Sequence, residues 1–135
     1  MVVKVKDLKI DDEYATVEPE ATIQQAAMVI REKKISYLIA IQNNKALGLL
    51  SDRDVIEKVV AEGKNVQQTA VKEIMSSVVT VSKEETVDYC LEKLSENNIP
   101  ALPVVDDKQE LIGVVSISDC LGTGTIFDLS EENLA

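Results

Sequence analysis

The stretch Asn97–Asp119, NNIPALPVVDDKQELIGVVSISD, carries the pattern on which the fold rests. Ala101 to Val105 is apolar and ends on β-branched residues, the composition of a strand with at least one buried face. Asp106, Asp107 and Lys108 make a polar turn, and Leu111 to Val115 is the return strand. Ser116 follows, a residue type that caps helix N-termini, with Asp119 three positions on.

The same pattern occurs earlier in the chain. Lys34–Asp54 reads KISYLIAIQNNKALGLLSDRD, again strand, polar turn and strand, ending on the same Gly-x-x-Ser-x-x-Asp. The copies lie about 65 residues apart, so one supersecondary unit is repeated in tandem. Working outward, Val5-Lys-Asp-Leu8 matches Val71-Lys-Glu-Ile74, and Thr16-Val17 matches Thr80-Val81 as short strands. Two helices follow these strands, Thr22 to Lys34 and Thr86 to Asn98, each opening on a threonine that can cap, with Gln25 at the reciprocal capping-box position of the first. Ile23, Ala26, Ala27 and Ile30 form the apolar stripe of one; Val87, Cys90, Leu91 and Leu94 form that of the other.

After the first Ser-x-x-Asp a helix is expected from Ser51 to Glu62, with Val55, Ile56, Val59 and Val60 on one face and Gly63 as C-cap. The short polar linker Lys64 to Ala70 predicts halves that pack on each other. The domain division is 1–65 and 66–135, the second ending in a short acidic tail. Gly122-Thr-Gly-Thr125 should break its last helix, and Ser130 can cap a final turn. That glycine segment lacks the lysine and spacing of a phosphate-binding P-loop.

Composition narrows the function. Hydrophobic residues make up 45% and charged residues 28% of 135, a globular balance, and one Phe, three Tyr and no Trp leave an aliphatic core. A net charge of −10 disfavours nucleic-acid backbones and anionic lipid, though not a small anion in a local pocket. The absence of histidine removes the usual general base and the commonest metal ligand. Cys90 and Cys120 form no metal-binding spacing, so no metal site is expected. With no signal-peptide pattern and no apolar run of spanning length, a cytoplasmic protein with free thiols is expected.

Each Gly-x-x-Ser-x-x-Asp joins a strand to a helix start. The glycine lets the backbone approach a ligand, the exposed amides and helix dipole favour an anion, and an aspartate in the first turn can accept both hydroxyls of a ribose. Ser with Asp three positions later is equally a plain capping arrangement, and a duplicated cap would look the same. The residues alone leave both readings open.

Over Val3 to Leu121 the chain resembles a tandem pair of cystathionine β-synthase (CBS) domains, a Bateman module. Asn98-Ile-Pro-Ala-Leu-Pro-Val-Val-Asp106 and Gly113-Val-Val-Ser-Ile-Ser-Asp119 carry the resemblance in the second copy, and Gly48-Leu-Leu-Ser-Asp-Arg-Asp54 in the first. The first copy departs at Ile35-Ser-Tyr-Leu-Ile39, where Ile39 replaces the family's proline. The resemblance implies an α+β fold: two pseudo-symmetric β-α-β-β-α repeats packed through their sheets, with clefts that take AMP, ADP, ATP or S-adenosylmethionine.

By the same resemblance Asp54 and Asp119 would hold ribose hydroxyls, with Ser51 and Ser116 on the ribose and phosphate side. Adenine would sit beside Ala15, Ile35 and Tyr37 in one site, and beside Val79, Ile99, Pro100 and Ala101 in the other. Arg53 would pair a phosphate, or instead an acidic neighbour, Asp52 or Glu57. Tyr37, where the second copy has Ala101, would narrow the first slot. Lys33, Lys34, Lys45 and Lys108 read as solvated rim charges.

The expected function is a stand-alone regulatory module binding an adenine nucleotide as its regulatory ligand, with no catalytic cofactor. It would form a homodimer through the Val55, Ile56, Val59, Val60 face and signal to a regulated protein. The alternatives are a ligand-free dimerisation scaffold and an S-adenosylmethionine binder. An enzyme is disfavoured by the lack of any nucleophile or metal pattern.

Overall fold

Two threonines start the two long helices, and for the same reason. Thr22 Oγ1 accepts the Gln25 amide at 3.1 Å, and the Gln25 side-chain oxygen accepts the Thr22 amide at 2.9 Å. Thr86 accepts the Tyr89 amide at 3.1 Å. Helix α1 (Ile23–Lys33) ends on Lys34 at φ 55°, and its counterpart (Val87–Asn97) ends on Asn98 at φ 51°, so both close on a left-handed residue. In the computed structural model, which describes residues 2–8, 10 and 14–121, these helices belong to two compact units of a mixed α+β fold.

One unit comprises residues 13–78 with 109–111. Its four-stranded sheet has the order β1 (Thr16–Val17), β2 (Tyr37–Gln42), β3 (Lys45–Ser51), β4 (Ser76–Ser77). β1 runs parallel to β2, the connection passing through α1, and β2–β3 is an antiparallel hairpin. Asn43 and Asn44 turn that hairpin at φ 53° and 65°, the paired positive values of a two-residue turn that matches strand twist. Register passes from Ala40↔Gly48 to Ile41↔Ala46, leaving Leu47 as the extra bulged residue, 41% exposed. Ile23, Ala26, Leu38, Ala40, Leu50, Val59, Val71 and Ile74 fill the core. Ala27, expected on the buried stripe of α1, is exposed, because the helix meets the sheet along the narrower Ile23–Ala26 line.

The chain leaves β3 through α2 (Asp52–Asp54) and then a π-helical turn, Val55–Val60, in which Ala61 N–H reaches Ile56 O at 2.9 Å. The winding splits the expected apolar face. Val59 is fully buried and Val55 packs beside it, while Ile56 and Val60 are 62% and 63% exposed. Gly63 follows at φ 68°. Linker residue Thr69 is buried, and helix α3 (Val71–Ile74) returns to this same unit through Val71 N–H to Ala21 O, 2.8 Å.

The other unit comprises residues 1–12, 79–108 and 112–135 as far as they are described. Helix α4 (Val87–Asn97), the hairpin β5 (Ala101–Val105) and β6 (Leu111–Ser116), and α5 (Ile117–Leu121) repeat the first unit. Val81 forms a parallel bridge with Val104, where β1 pairs with β2 in the other unit. Val87, Cys90, Leu94, Leu102, Val104, Val115 and Cys120 fill its core. The lead-in residues 2–8 also belong here, although they precede the first repeat. Val5 is buried in this core, Val5 N–H donates to Glu85 O at 2.8 Å, and Val87 N–H donates to Val3 O at 2.9 Å. Spatial units and the sequence division at residues 65 and 66 therefore cut the chain differently. The expected helix break at Gly122–Thr125 and the cap at Ser130 lie outside the described residues.

Candidate functional site

Both Gly-x-x-Ser-x-x-Asp segments form a strand-to-helix junction. At the end of β6, the Ser116 amide donates to Asp119 Oδ2 at 2.9 Å, and the Asp119 amide donates to Ser116 Oγ at 3.2 Å. The Ser116 hydroxyl also donates to Asp119 Oδ2 at 3.0 Å and lies 2.9 Å from Ser118 Oγ. At the end of β3, the Ser51 amide donates to Asp54 Oδ2 at 2.9 Å, and the Asp54 amide to Ser51 Oγ at 3.1 Å. Each aspartate thus spends one oxygen closing its own helix start.

The second oxygens differ. Among the described residues no donor engages Asp119 Oδ1. Asp54 Oδ1 is held by Lys58 Nζ at 3.1 Å, and the Asp54 side chain is 15% exposed. The lysine also donates to Ile74 O at 3.3 Å and Ser76 Oγ at 3.4 Å. The sequence reading missed Lys58, although its spacing of four from Asp54 was the signal available. Arg53, 69% exposed, pairs with Glu57 at 3.0 Å, so the acidic neighbour is the partner observed.

The hairpin register sets Tyr37 directly opposite Ser51, and Asp52 N–H donates to Ser36 O at 2.9 Å. Ile35 and Tyr37 are both half-buried at this strand end. Ala15 is 6% exposed, and its carbonyl accepts the Ile39 amide at 3.0 Å, two residues beyond Tyr37. The structure therefore gathers Ala15, Ile35, Tyr37, Ser51 and Asp54 around one end of the β2–β3 hairpin, with Arg53 turned to Glu57. In the other unit Val79 and Pro100 are half-buried, Ile99 is 8% exposed and Ala101 is fully buried. The side chain of Ile99 belongs to the core of this unit.

Two hollows lie elsewhere. One of about 560 Å³ is lined by Thr16 to Glu20 and Ile41 to Asn44, at the turn end of the first hairpin. Another of about 260 Å³ is lined by Val5, Lys6, Leu8, Ile10, Lys83 and Ile112. Neither contains a candidate residue. Among the described residues no cluster suits a metal ion, and no helix is long and apolar enough to cross a membrane. Cys90 and Cys120 are free and buried; burial pushes the Cys90 thiol up to about 12, and that of Cys120 upward too.

Two copies of a strand-to-helix junction, each capped by its own aspartate and each embedded in a β-α-β-β-α unit, define a tandem-repeat module. The CBS domain family model matches residues 5–61 and 71–123, and the chain belongs to the CBS domain family. A protein of Methanopyrus kandleri is 34% identical over 108 residues, 78% of this chain and 55% of that relative. The chain spans little more than half of that relative, 38% and 23% of two other curated relatives, and 81% of a CBS domain-containing protein of Bacillus subtilis that is 30% identical over 116 residues. The CBS domain pair of protein MJ0100, solved with 5′-methylthioadenosine and S-adenosyl-L-methionine, superposes with a TM-score of 0.75 at 28% identity, covering 98% of this chain and 99% of that one. The CBS domain protein PAE2072 of Pyrobaculum aerophilum, solved with AMP, shares the fold at a TM-score of 0.80 and 22% identity, covering 96% and 99%.

Proposed function

We propose that this CBS pair is a cytoplasmic regulatory module, not an enzyme, that binds an adenosine compound at its Ser-x-x-Asp junctions and passes the state of the site to a partner protein. The observation that carries this reading is Asp119: its Oδ2 is fixed by the Ser116 amide and hydroxyl, while no donor among the described residues engages Oδ1. A carboxylate locked in place by its own cap presents a rigid acceptor, and a ribose hydroxyl is the kind of donor that fits it. The ligands of the MJ0100 pair support an adenosine compound.

Binding regulates only if the ligand prefers one packing of the module over another. A homodimer supplies a second packing, and exposed Ile56 and Val60 are the apolar residues offered to it. A thermal-shift panel with AMP, ADP, ATP and S-adenosylmethionine tests the reading. At a hundred times its dissociation constant a true ligand adds about 2.7 kcal/mol, a clear rise in melting temperature.

One observation favours a second reading, a ligand-free scaffold: both aspartates cap their own helix starts. Failure of all four compounds to shift the melt would select it.

A further inference from the structure

The two Ser-x-x-Asp junctions differ at the second oxygen of their aspartates, where only Asp54 has a cation among the described residues. Lys58 Nζ lies 3.1 Å from Asp54 Oδ1, the carboxylate oxygen that the cap leaves over. Ile74 O and Ser76 Oγ, at 3.3 and 3.4 Å, hold the ammonium beside that oxygen. The equivalent position in the second repeat is Thr123, so the sequence provides no lysine there.

The geometry points to Lys58 as a specificity residue that restricts the Asp54 site to phosphate-bearing adenosine compounds. This rests on the ribose reading given above. A ribose hydroxyl that binds Asp54 Oδ1 competes there with a charge-assisted bond, and a neutral nucleoside offers a loosened ammonium nothing in return. A nucleotide brings its own anion. The lysine stem is long and flexible, and its charge is a compact point, so Nζ can pass from carboxylate to phosphate within its own reach. The carboxylate, 15% exposed, is sheltered enough for the pair to matter, while the lysine side chain, 46% exposed, is free to swing. The cation nearest the Asp54 carboxylate is thus Lys58 and not Arg53, whose guanidinium is engaged by Glu57. Among the described residues no cation stands on Asp119, and that site accepts uncharged or cationic adenosine compounds.

The test measures AMP and adenosine affinities by calorimetry on the full chain in an Asp119→Ala background, which leaves the Asp54 site alone. There AMP should bind at least tenfold more tightly than adenosine. Adding Lys58→Met should strengthen adenosine and weaken AMP, each on the order of tenfold, whereas Lys58→Arg should keep the preference. An AMP-to-adenosine ratio unmoved by Lys58→Met overturns the role of the lysine. If Asp54→Ala in the same background leaves AMP binding intact, the ribose reading itself fails, and the two failures are thereby told apart.

Discussion

The amide of Val5 donates to the carbonyl of Glu85 at 2.8 Å, tying the chain's first described residues to the start of α4. The contact is reinforced on both sides: Lys6 N–H donates to Lys83 O at 2.9 Å, and Glu84 takes Lys4 and Lys6 at 3.4 and 3.1 Å. The lead-in of the first repeat therefore completes the core of the second, and α3, the lead-in of the second, completes the first.

That exchange predicts where damage to the N-terminus is felt. Val5→Ala should lower stability by about 2 kcal/mol, as removal of buried methyls does, read as a shifted denaturation midpoint. Disrupting the exposed Lys6–Glu84 pair should cost much less. The lysines hold the Glu84 carboxyl below its ordinary value, so their small contribution is present above that value and fades as pH falls through the lowered one. Equal losses from Val5→Ala and Lys6→Ala would contradict the assignment of Val5 to the core.

Gly48 is constrained by the same exchange. A methyl group there would overlap Met75 Sδ and would meet Met75 Cγ at 2.7 Å and the Ser76 carbonyl at 3.0 Å. Gly48→Ala should cost about 1–3 kcal/mol, and Met75→Ala in the same chain should recover part of it, because two of the three contacts belong to that flexible side chain. A non-additive double-mutant cycle is the expected result.

Asp119→Ala should abolish adenosine-compound binding at its own site, a loss on the order of a hundredfold or more. The fold should lose only about 1 kcal/mol, the worth of a helix cap. Calorimetry and a thermal melt on the same sample separate the two effects.

The cysteines give the chain an alkaline limit. Cys90 has its thiol pushed from 9.0 to about 12, chiefly by burial, with Cys120 and Glu85 adding to the shift. The native state therefore holds a proton that the unfolded chain gives up, and stability is complete below pH 9 and falls as pH rises toward 12. Cys90→Val with Cys120→Val should flatten that decline, and alkylation of the native protein at pH 8 should be slow.

The fold was legible because its signals repeat. Thr22 and Thr86 each stood before an apolar stripe, and the two Gly-x-x-Ser-x-x-Asp endings each followed an apolar strand. The π-helical turn was not legible, since Val55, Ile56, Val59 and Val60 suit an ordinary helix face, and only packing against the sheet buries Val59 and expels Ile56. Nor was the exchange of lead-in segments: Val5 and Val71 match in sequence, but sequence similarity does not say which core each enters. At the site, the residue types were visible and their allegiances were not. Arg53 had two partners open to it by spacing, and Lys58 became relevant only once its ammonium was seen on Asp54.

The most direct test of the account is a calorimetric titration of the full chain with AMP, ADP, ATP and S-adenosylmethionine, repeated on Asp119→Ala. At least one compound should bind saturably, and the variant should lose one site. Absence of binding by all four, or identical isotherms for the two proteins, would contradict it.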